Sequence, residues 1–300
     1  MLKYTIKRVL MLIPTIIGIT LFIYLIMSFV PGDPAELLSP PEATAEEVEV
    51  LRAELGLDKP VLVQYVNYMW DILHGDFGVS WFTKQPVIDE IVNRMPYTLS
   101  LIASIISIPL GTLTAVKHNT PADYIVTFLC LLFAAMPGFW LAIILQIYLS
   151  LQTGWFPAYG MGTMRHFVLP VIAVCAASVA TNIRSTRTWV LDVIRSDYVR
   201  TARAKGASEV VVIMKHALRN ALLPIVTGFG SAFAGVLGGS VVIETVFAIP
   251  GISTYLTSAV KTRDMPIIMG CILVISVFVG VVNLLVDLMY SVIDPRVKYE

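Results

Sequence analysis

Charged residues are scarce in this sequence, and their scarcity excludes most soluble folds. Asp, Glu, Lys and Arg make up 14% of the 300 residues, whereas apolar residues make up 57%. Soluble domains average about 25% charged and about 45–50% apolar residues. The 21 basic and 21 acidic residues balance to a net charge of zero. This balance excludes a basic nucleic-acid-binding surface or an acidic tail as the main feature of the chain.

Motifs for chemistry are equally scarce. The sequence contains no Gly-x4-Gly-Lys-Ser/Thr loop to hold phosphates and no His-Glu-x-x-His zinc motif. Its three cysteines, Cys130, Cys175 and Cys271, are widely separated within apolar stretches, so they indicate neither a disulfide framework nor a spaced metal site. We therefore expect no catalytic residues, no metal and no cofactor in this chain.

The sequence instead contains six stretches without a single charged residue. They are 17 to 27 residues long and cover residues 9–30, 97–116, 125–151, 167–183, 222–243 and 266–286. A helix needs about 20 apolar residues to cross the hydrocarbon core of a membrane, and its backbone groups must be bonded within the segment. The sequence therefore predicts an all-α integral membrane protein with six transmembrane helices. The stretch 167–183 is the shortest and could instead be a buried helix.

The basic residues predict the orientation. With a cytoplasmic N-terminus, 14 Lys and Arg residues lie inside and 7 outside, in agreement with the positive-inside rule. Residues 31–96 hold 4 basic and 12 acidic residues, whereas the loop 184–221 holds 8 basic and 3 acidic. We expect a cytoplasmic N-terminus and first transmembrane helix (1–30), an extracytoplasmic helical insert (31–96), and a five-helix core (97–300) with a cytoplasmic loop (184–221) and a cytoplasmic C-terminus. A cleaved signal peptide is disfavoured because the first apolar stretch exceeds the about 7–15 residues of a signal core.

Two local patterns predict helices in the insert. Thr44 and Glu47 form a capping box that starts one helix, and Gly56 can end it. Pro60 can start a second helix, which Gly75 can end. The insert could cover the mouth of the membrane domain or dock an external partner.

Titratable side chains are missing from the charge-free stretches. Transporters driven by ions usually place carboxylates or histidines within the bilayer, so their absence argues against an ion-coupled carrier. Gln146 is among the most polar side chains at depth, and we expect it to bridge helices. Small residues recur every four positions at Ser231, Gly235 and Gly239. Such a face permits close helix packing, and it could alternatively line a pathway.

The loop 184–221 contains a predicted short helix over 197–205. Ser196 can cap its start, and Gly206 follows its end. A short basic helix with small side chains can enter a groove on another protein. It can equally lie at the membrane surface on anionic lipid, and the physical pattern leaves both interpretations open.

The residues SDYVRTARAKGAS at 196–208 strongly resemble the coupling loop of binding-protein-dependent ABC importer permeases, in their dipeptide, oligopeptide and nickel branch. Ala202, Gly206 and Leu218 match the general pattern of that loop, whereas Arg200 replaces its Glu. Further resemblances to the branch are VPGDPA at 30–35, GDFG at 75–78, ETVF at 244–247 with PG at 250–251, and DPR at 294–296.

The resemblance implies one of two homologous membrane subunits in a bacterial inner-membrane importer. A cytoplasmic ATPase, which carries the ATP and Mg²⁺, would dock on the loop, and an extracytoplasmic solute-binding protein would deliver the substrate. The implied ATPase-coupling residues are Ser196, Asp197, Tyr198, Arg200, Thr201, Ala202, Arg203, Ala204, Lys205 and Gly206. Peptides are the expected substrate, with nickel, a metal chelate or glutathione as alternatives. An ATP-independent channel, an ion-coupled carrier and an intramembrane enzyme are the competing functions.

Overall fold

The computed structural model describes residues 2–100, 107–239 and 241–293. Within these ranges the secondary structure is helical, and the only strand-like feature is a single bridge between Val79 and Pro86. The predicted all-α class is therefore confirmed.

The α-helices follow one another with short connections. They are α1 (Leu2–Phe29), α2 (Pro34–Leu38), α3 (Ala45–Glu54), α4 (Val61–Leu73), α5 (Val87–Ser100), α6 (Ser107–Val116), α7 (Pro121–Ala135), α8 (Gly138–Leu145), α9 (Arg165–Ile194), α10 (Asp197–Ala204), α11 (Glu209–Val211), α12 (Arg219–Gly239), α13 (Val241–Val246), α14 (Ile252–Thr262) and α15 (Met265–Ile293). Two π-helical segments, Gln146–Gln152 and Val212–Leu218, continue α8 and α11.

Three helices of the described ranges are long and apolar enough to cross a membrane. They are Thr5–Phe29 within α1, Arg165–Ile194, and Met265–Tyr290 within α15. Two bent pairs, α7 with α8 and α11 with α12, bring the number to five if each pair is one span. The predicted second span includes residues 101–106, which lie outside the described ranges.

The predicted third span, 125–151, is not one straight helix. It breaks between Ala135 and Gly138, and the two halves are bent by 104°. Pro137 stands at the break, before the first residue of α8. Because proline lacks an amide hydrogen and clashes with the preceding turn, it ends the helical hydrogen-bond pattern here. Proline often only kinks a helix, whereas the bend here is large enough to make either a broken span or a re-entrant loop.

The shortest predicted span belongs to the longest helix. The stretch 167–183 is part of α9, which has 30 residues and continues past Arg184 and Arg187. Charged residues end an apolar run without ending a helix, because lysine and arginine are good helix formers. The apolar run therefore underestimates the length of this helix.

Two compact units make up the chain. The first contains residues 97–249 and 281–300 together with the first five residues. Within it, α9 packs against α6, α7, α8 and α12. At Gly111 of α6, an added Cβ atom would lie 2.7 Å from the carbonyl oxygen of Ile183 and 2.6 Å from Cβ of Thr186. Glycine is thus what allows α6 to approach α9 closely.

Replacing Gly111 with alanine is expected to destabilise the first unit by about 1–3 kcal/mol, because the new methyl group meets backbone atoms that cannot rotate away. Gly18 in α1 is the matched control, since nothing lies within 4 Å of its added Cβ position. Thermal unfolding in detergent checks both variants. Equal midpoints for Gly111→Ala and Gly18→Ala would contradict the close approach.

The second unit contains residues 6–96 and 250–280. Its largest apolar cluster joins α5, α14 and α15 through Val87, Ile91, Ile252 and Ile268. The predicted capping box is present: the Thr44 hydroxyl accepts from the Glu47 amide and the Glu47 carboxylate accepts from the Thr44 amide. Pro60 precedes α4, and Gly75 has a positive φ of 85° just after it. Local sequence signals therefore locate these two helices correctly.

The VPGDPA motif forms a tight turn after α1 within the second unit. Asp33 occupies the N-cap of α2 and accepts from the Ala35 amide at 2.9 Å. Arg52 of α3 donates to the same carboxylate, with Nε 3.1 Å from Oδ2. Arg263, in the left-handed conformation at the end of α14, donates to the carbonyl oxygens of Val30, Pro31 and Gly32. These contacts join the end of α1 to α3 and α14.

Candidate functional site

The candidate coupling helix, α10, begins two residues after α9 ends. Ser196 occupies its N-cap position with an extended backbone, and Asp197 lies in its first turn. The Ser196 hydroxyl does not cap the helix as the sequence predicts. It donates to the carbonyl oxygen of Val193 at 2.5 Å, which also accepts from the Ser196 amide at 3.0 Å. The side chain therefore fixes the corner between α9 and α10.

One apolar side chain anchors α10. Val199 is fully buried, and α10 packs against the π-helical segment Val212–Leu218 and against α9. Val212 and Ala217 of that segment are fully buried as well. Arg203 adds a bidentate ion pair with Glu209, in which its Nε lies 3.1 Å from Oε2. A helix of eight residues is unstable alone in water, so these contacts hold it in shape.

The remaining predicted coupling residues form a solvent-exposed face. Most of them are exposed, namely Asp197, Tyr198, Arg200, Thr201, Arg203, Ala204, Lys205 and Gly206. Ser196 and Ala202 are half-buried. Asp197 and Arg200 form a loose surface pair at 3.9 Å, so the face combines small side chains with basic charge.

Gly206 ends α10 in a Schellman motif. Its φ is +79°, its amide donates to the Arg203 carbonyl at 2.9 Å, and the Ala207 amide donates to the Ala202 carbonyl at 3.3 Å. These are the two bonds of that motif, which requires a left-handed residue at the position of Gly206. Gly206 thus follows the end of the helix as the sequence predicts. An added Cβ would meet nothing within 4 Å, so backbone conformation rather than space favours glycine.

Three apolar residues beside α10 have no role in the sequence-based prediction. Val210, Val211 and Met214 are exposed in α11 and the following π-helical segment, as is Tyr198 on α10. The sequence feature that could have indicated them is the run of five apolar residues from 210 to 214, which directly follows Ser208 and Glu209. These side chains form an exposed apolar surface next to the basic face of α10.

A buried ion pair joins α7 to α9 in the first unit. Asp123 is 2% exposed, and Arg187 donates Nε to its Oδ1 at 2.7 Å and Nη2 to its Oδ2 at 2.8 Å. The Asn119 amide also donates to Oδ2, at 3.0 Å, and Nη2 of Arg187 lies 2.8 Å from Nδ1 of His118. Sequence reasoning missed this cluster because its partners are 64 residues apart and carry no shared motif.

Two buried carboxylates lie just outside the charge-free stretches. Asp123 sits in the first turn of α7, just before one charge-free stretch, and Glu244 is fully buried in α13, just after another. Gln146, predicted to bridge helices, donates to the carbonyl oxygens of Ala158 at 2.8 Å and Val246 at 3.3 Å. It thus joins the π-helical segment Gln146–Gln152 to the following loop and to α13.

Close packing is visible at two glycines of α12. An added Cβ at Gly228 would lie 3.0 Å from the Trp189 ring, and one at Gly230 would lie 2.9 Å from Cγ2 of Val286. The predicted face of Ser231, Gly235 and Gly239 follows in the same helix, but the surroundings of these three residues lie outside the described part of the structure.

Metal ligands do not converge anywhere among the residues that the structure describes, since no group of three His, Cys, Asp or Glu side chains could hold an ion. The three cysteines are buried and unbonded to one another. The His74 ring nitrogen Nδ1 lies 2.8 Å from the carbonyl oxygen of Trp70.

Two family models match the chain in succession. Residues 1–102 match the N-terminal model of binding-protein-dependent transport system membrane components, and residues 107–299 match the model of their inner membrane component. The sequence is 40% identical over 306 aligned positions to the glutathione transport system permease protein GsiC of Escherichia coli (strain K12) and to that of Shigella dysenteriae serotype 1. It is 39% identical to that of Salmonella choleraesuis, and each alignment covers 100% of both chains.

These relatives are transport subunits that span the membrane, and ATP hydrolysis in such systems resides in partner subunits. Their similarity extends from end to end of the chain, and it includes α10 and the VPGDPA turn. The protein therefore belongs to the inner-membrane components of binding-protein-dependent transport systems, as a permease subunit of an ABC importer.

Proposed function

We propose that this chain forms half of the membrane pathway of an ATP-driven importer of short peptides, with glutathione as the first substrate to test. The observation that carries the substrate proposal is the 40% identity, over the full length of both chains, to glutathione permeases. Glutathione is a tripeptide, so it lies within the peptide class that the branch resemblance favours. Nickel or a nickel chelate is the competing cargo.

The proposed architecture has six transmembrane helices with both termini in the cytoplasm. The loop 184–221 then belongs to the cytoplasmic side of the membrane and residues 31–96 to the external side. This agrees with 8 basic residues against 3 acidic in the first and 4 against 12 in the second. Residues 97–300 form the permease core. Under this proposal the bent pair of α7 and α8 counts as one broken span.

The proposed coupling site is the exposed face of α10. Val199 and the Arg203–Glu209 pair hold α10 against the neighbouring helices of the first unit. The exposed side chains of Tyr198, Arg200 and Lys205 remain available to a cytoplasmic partner. A rigid, anchored helix loses little conformational entropy on docking, which favours binding. We place the ATPase contact here, with ATP and Mg²⁺ bound by the ATPase and no cofactor in this chain.

The proposed partners follow the organisation of ABC importers, which combine two permeases, two ATPases and an extracytoplasmic binding protein. We propose that the second permease is a paralogue of this chain rather than a copy. Purification of the complex under mild detergent and mass spectrometry of its subunits checks this composition. A complex with two copies of this chain and no paralogue would overturn it.

The function is tested by reconstituting the purified complex in proteoliposomes with its binding protein outside and ATP inside. We expect saturable uptake of labelled glutathione that requires ATP and the binding protein. If dipeptides are taken up and excess glutathione does not inhibit their uptake, dipeptides are the substrate instead. If only Ni²⁺ is taken up, the substrate is nickel. Uptake without ATP would overturn the importer itself in favour of a channel or an ion-coupled carrier.

A further inference from the structure

Helix α4 has a wide apolar surface, and the rest of the second unit covers only part of it. At 100° per residue, its polar side chains Gln64, Asn67, Asp71 and the following His74 share one narrow face. Every other position of the helix is apolar or aromatic. Such a wide apolar arc with a narrow polar stripe is typical of helices that lie in a membrane interface.

Only half of this apolar surface is packed within the second unit. The half centred on Tyr65 contacts α1 and the start of α15, in a cluster with Tyr24 and Met269. The other half is exposed and forms a continuous stripe along the helix: Leu62, Val66, Trp70 and Leu73 are 60%, 61%, 63% and 76% exposed. Val63 at its edge is exposed as well. In water this stripe would carry a large hydrophobic cost.

Hydrogen bonds fix the level at which α4 meets α1. The Tyr65 hydroxyl donates to the carbonyl oxygen of Ile17 at 3.1 Å and lies 2.9 Å from the hydroxyl of Thr20. The Tyr24 hydroxyl donates to Oε1 of Gln64 at 2.9 Å. The second unit thus joins α4 to three neighbouring turns of α1.

Those turns lie in the middle of the apolar run of α1. The charge-free stretch 9–30 is about 33 Å long as a helix, close to the thickness of the hydrocarbon core. Thr20 lies at its centre, and Tyr24 lies only about 6 Å further along the axis. A helix bonded to these residues is therefore at the depth of the acyl chains rather than in the external water.

We propose that α4 is embedded in one leaflet of the membrane, with the stripe of Leu62, Val66, Trp70 and Leu73 against lipid acyl chains. This leaflet is the outer one in the proposed orientation. The exposed surface of α1 supports lipid as the occupant, because it is apolar at the same level, where Phe22 is 63% exposed. Gln64, Asn67 and Asp71 of the polar stripe line a cleft of about 480 Å³. Glu54, Lys59, Asp76 and Lys84 line it as well, so this stripe faces polar surroundings.

Site-directed spin labelling of the assembled transporter in proteoliposomes tests the proposal. Val66→Cys carries a nitroxide on the apolar stripe, Asn67→Cys carries one on the polar stripe, and Phe22→Cys on α1 is the lipid-facing reference. Labelled wild-type protein is the blank, since its three cysteines are buried. Power saturation measures collisions of each label with oxygen, which concentrates in lipid, and with a water-soluble nickel chelate.

We expect collisions with oxygen to exceed those with the chelate at position 66, as at position 22, and the ratio to reverse at position 67. More chelate than oxygen collisions at position 66 would place the stripe in water and overturn the proposal. Low collision rates with both reagents would show that a protein partner covers the stripe, which also overturns it. Neither outcome depends on which substrate the complex transports. The uptake experiment therefore tests the proposed function independently of this experiment.

Discussion

Replacing Gly206 with valine is expected to abolish ATP-driven uptake while leaving the permease in the membrane. Gly206 has a φ of +79° in the Schellman motif that ends α10. A residue with a Cβ atom loses about 1–2 kcal/mol in this conformation, and a β-branched one is a clear outlier there. The turn would reorganise and change the exposed face of α10. Uptake and ATPase activity of the reconstituted complex measure the effect, and we expect ATP hydrolysis to lose its dependence on the loaded binding protein.

Gly56 provides a matched control for the same substitution. It follows α3 with a φ of +70°, its amide donates to the Ala53 carbonyl, and the Leu57 amide donates to the Arg52 carbonyl. No atom lies within 4 Å of an added Cβ at either glycine, so the two substitutions cause the same local strain. Gly56→Val should retain coupled uptake. Normal uptake in Gly206→Val, or equal losses in both variants, would refute the assignment of α10 as the coupling helix.

Replacing Arg187 with alanine is expected to destabilise the first unit by about 3–5 kcal/mol. The substitution leaves the carboxylate of Asp123, which is 2% exposed, without its bidentate partner. An uncompensated buried charge accounts for most of this cost. The contact between α7 and α9 should loosen, and the yield of assembled complex should fall accordingly. The thermal unfolding midpoint of the purified complex measures the loss.

Arg184→Ala is the control, because Arg184 lies one turn earlier on α9 and is exposed. A surface substitution of this kind usually changes stability by less than about 0.5 kcal/mol. Asp123→Asn together with Arg187→Gln should recover part of the stability lost in Arg187→Ala, since two neutral amides can still share hydrogen bonds. An unchanged midpoint in Arg187→Ala would show that the pair contributes nothing to the packing of α7 on α9.

Features that depend on neighbouring residues could be predicted from the sequence. The capping box of Thr44 and Glu47 and the left-handed Gly206 at the end of α10 follow from local hydrogen-bond requirements. The start of α10 after Ser196 is also located correctly, although the Ser196 hydroxyl does not form the predicted cap bond. The all-helical class follows from the lengths of the charge-free stretches, because backbone groups in lipid must be bonded within a segment. The family resemblance implies that the loop docks an ATPase, a role that its physical pattern left undecided between a protein groove and a lipid surface.

Features that depend on distant contacts could not be predicted. The ion pair that joins Arg187 of α9 to Asp123 of α7 is one of them, because its partners are 64 residues apart. The 104° bend after Ala135 depends on how α8 packs on α9 and α13 as well as on Pro137. The position of α4 against α1, on which its proposed depth rests, depends on hydrogen bonds across more than 40 residues of sequence.

The two connections of α10 to the membrane helices differ in stiffness. On one side α9 is a continuous helix of 30 residues that ends two residues before α10, and the Ser196 hydroxyl closes that corner. On the other side the chain continues into α12 through the π-helical segment Val212–Leu218, a conformation that is rare and less stable than the α-helix. A displacement of α10 is therefore transmitted to α9 as a rigid tilt, whereas rewinding of the π-helical turns can absorb it before it reaches α12. A movement of the proposed ATPase partner would thus displace the two helices unequally. It would move α9 first and further, and α12 later and less.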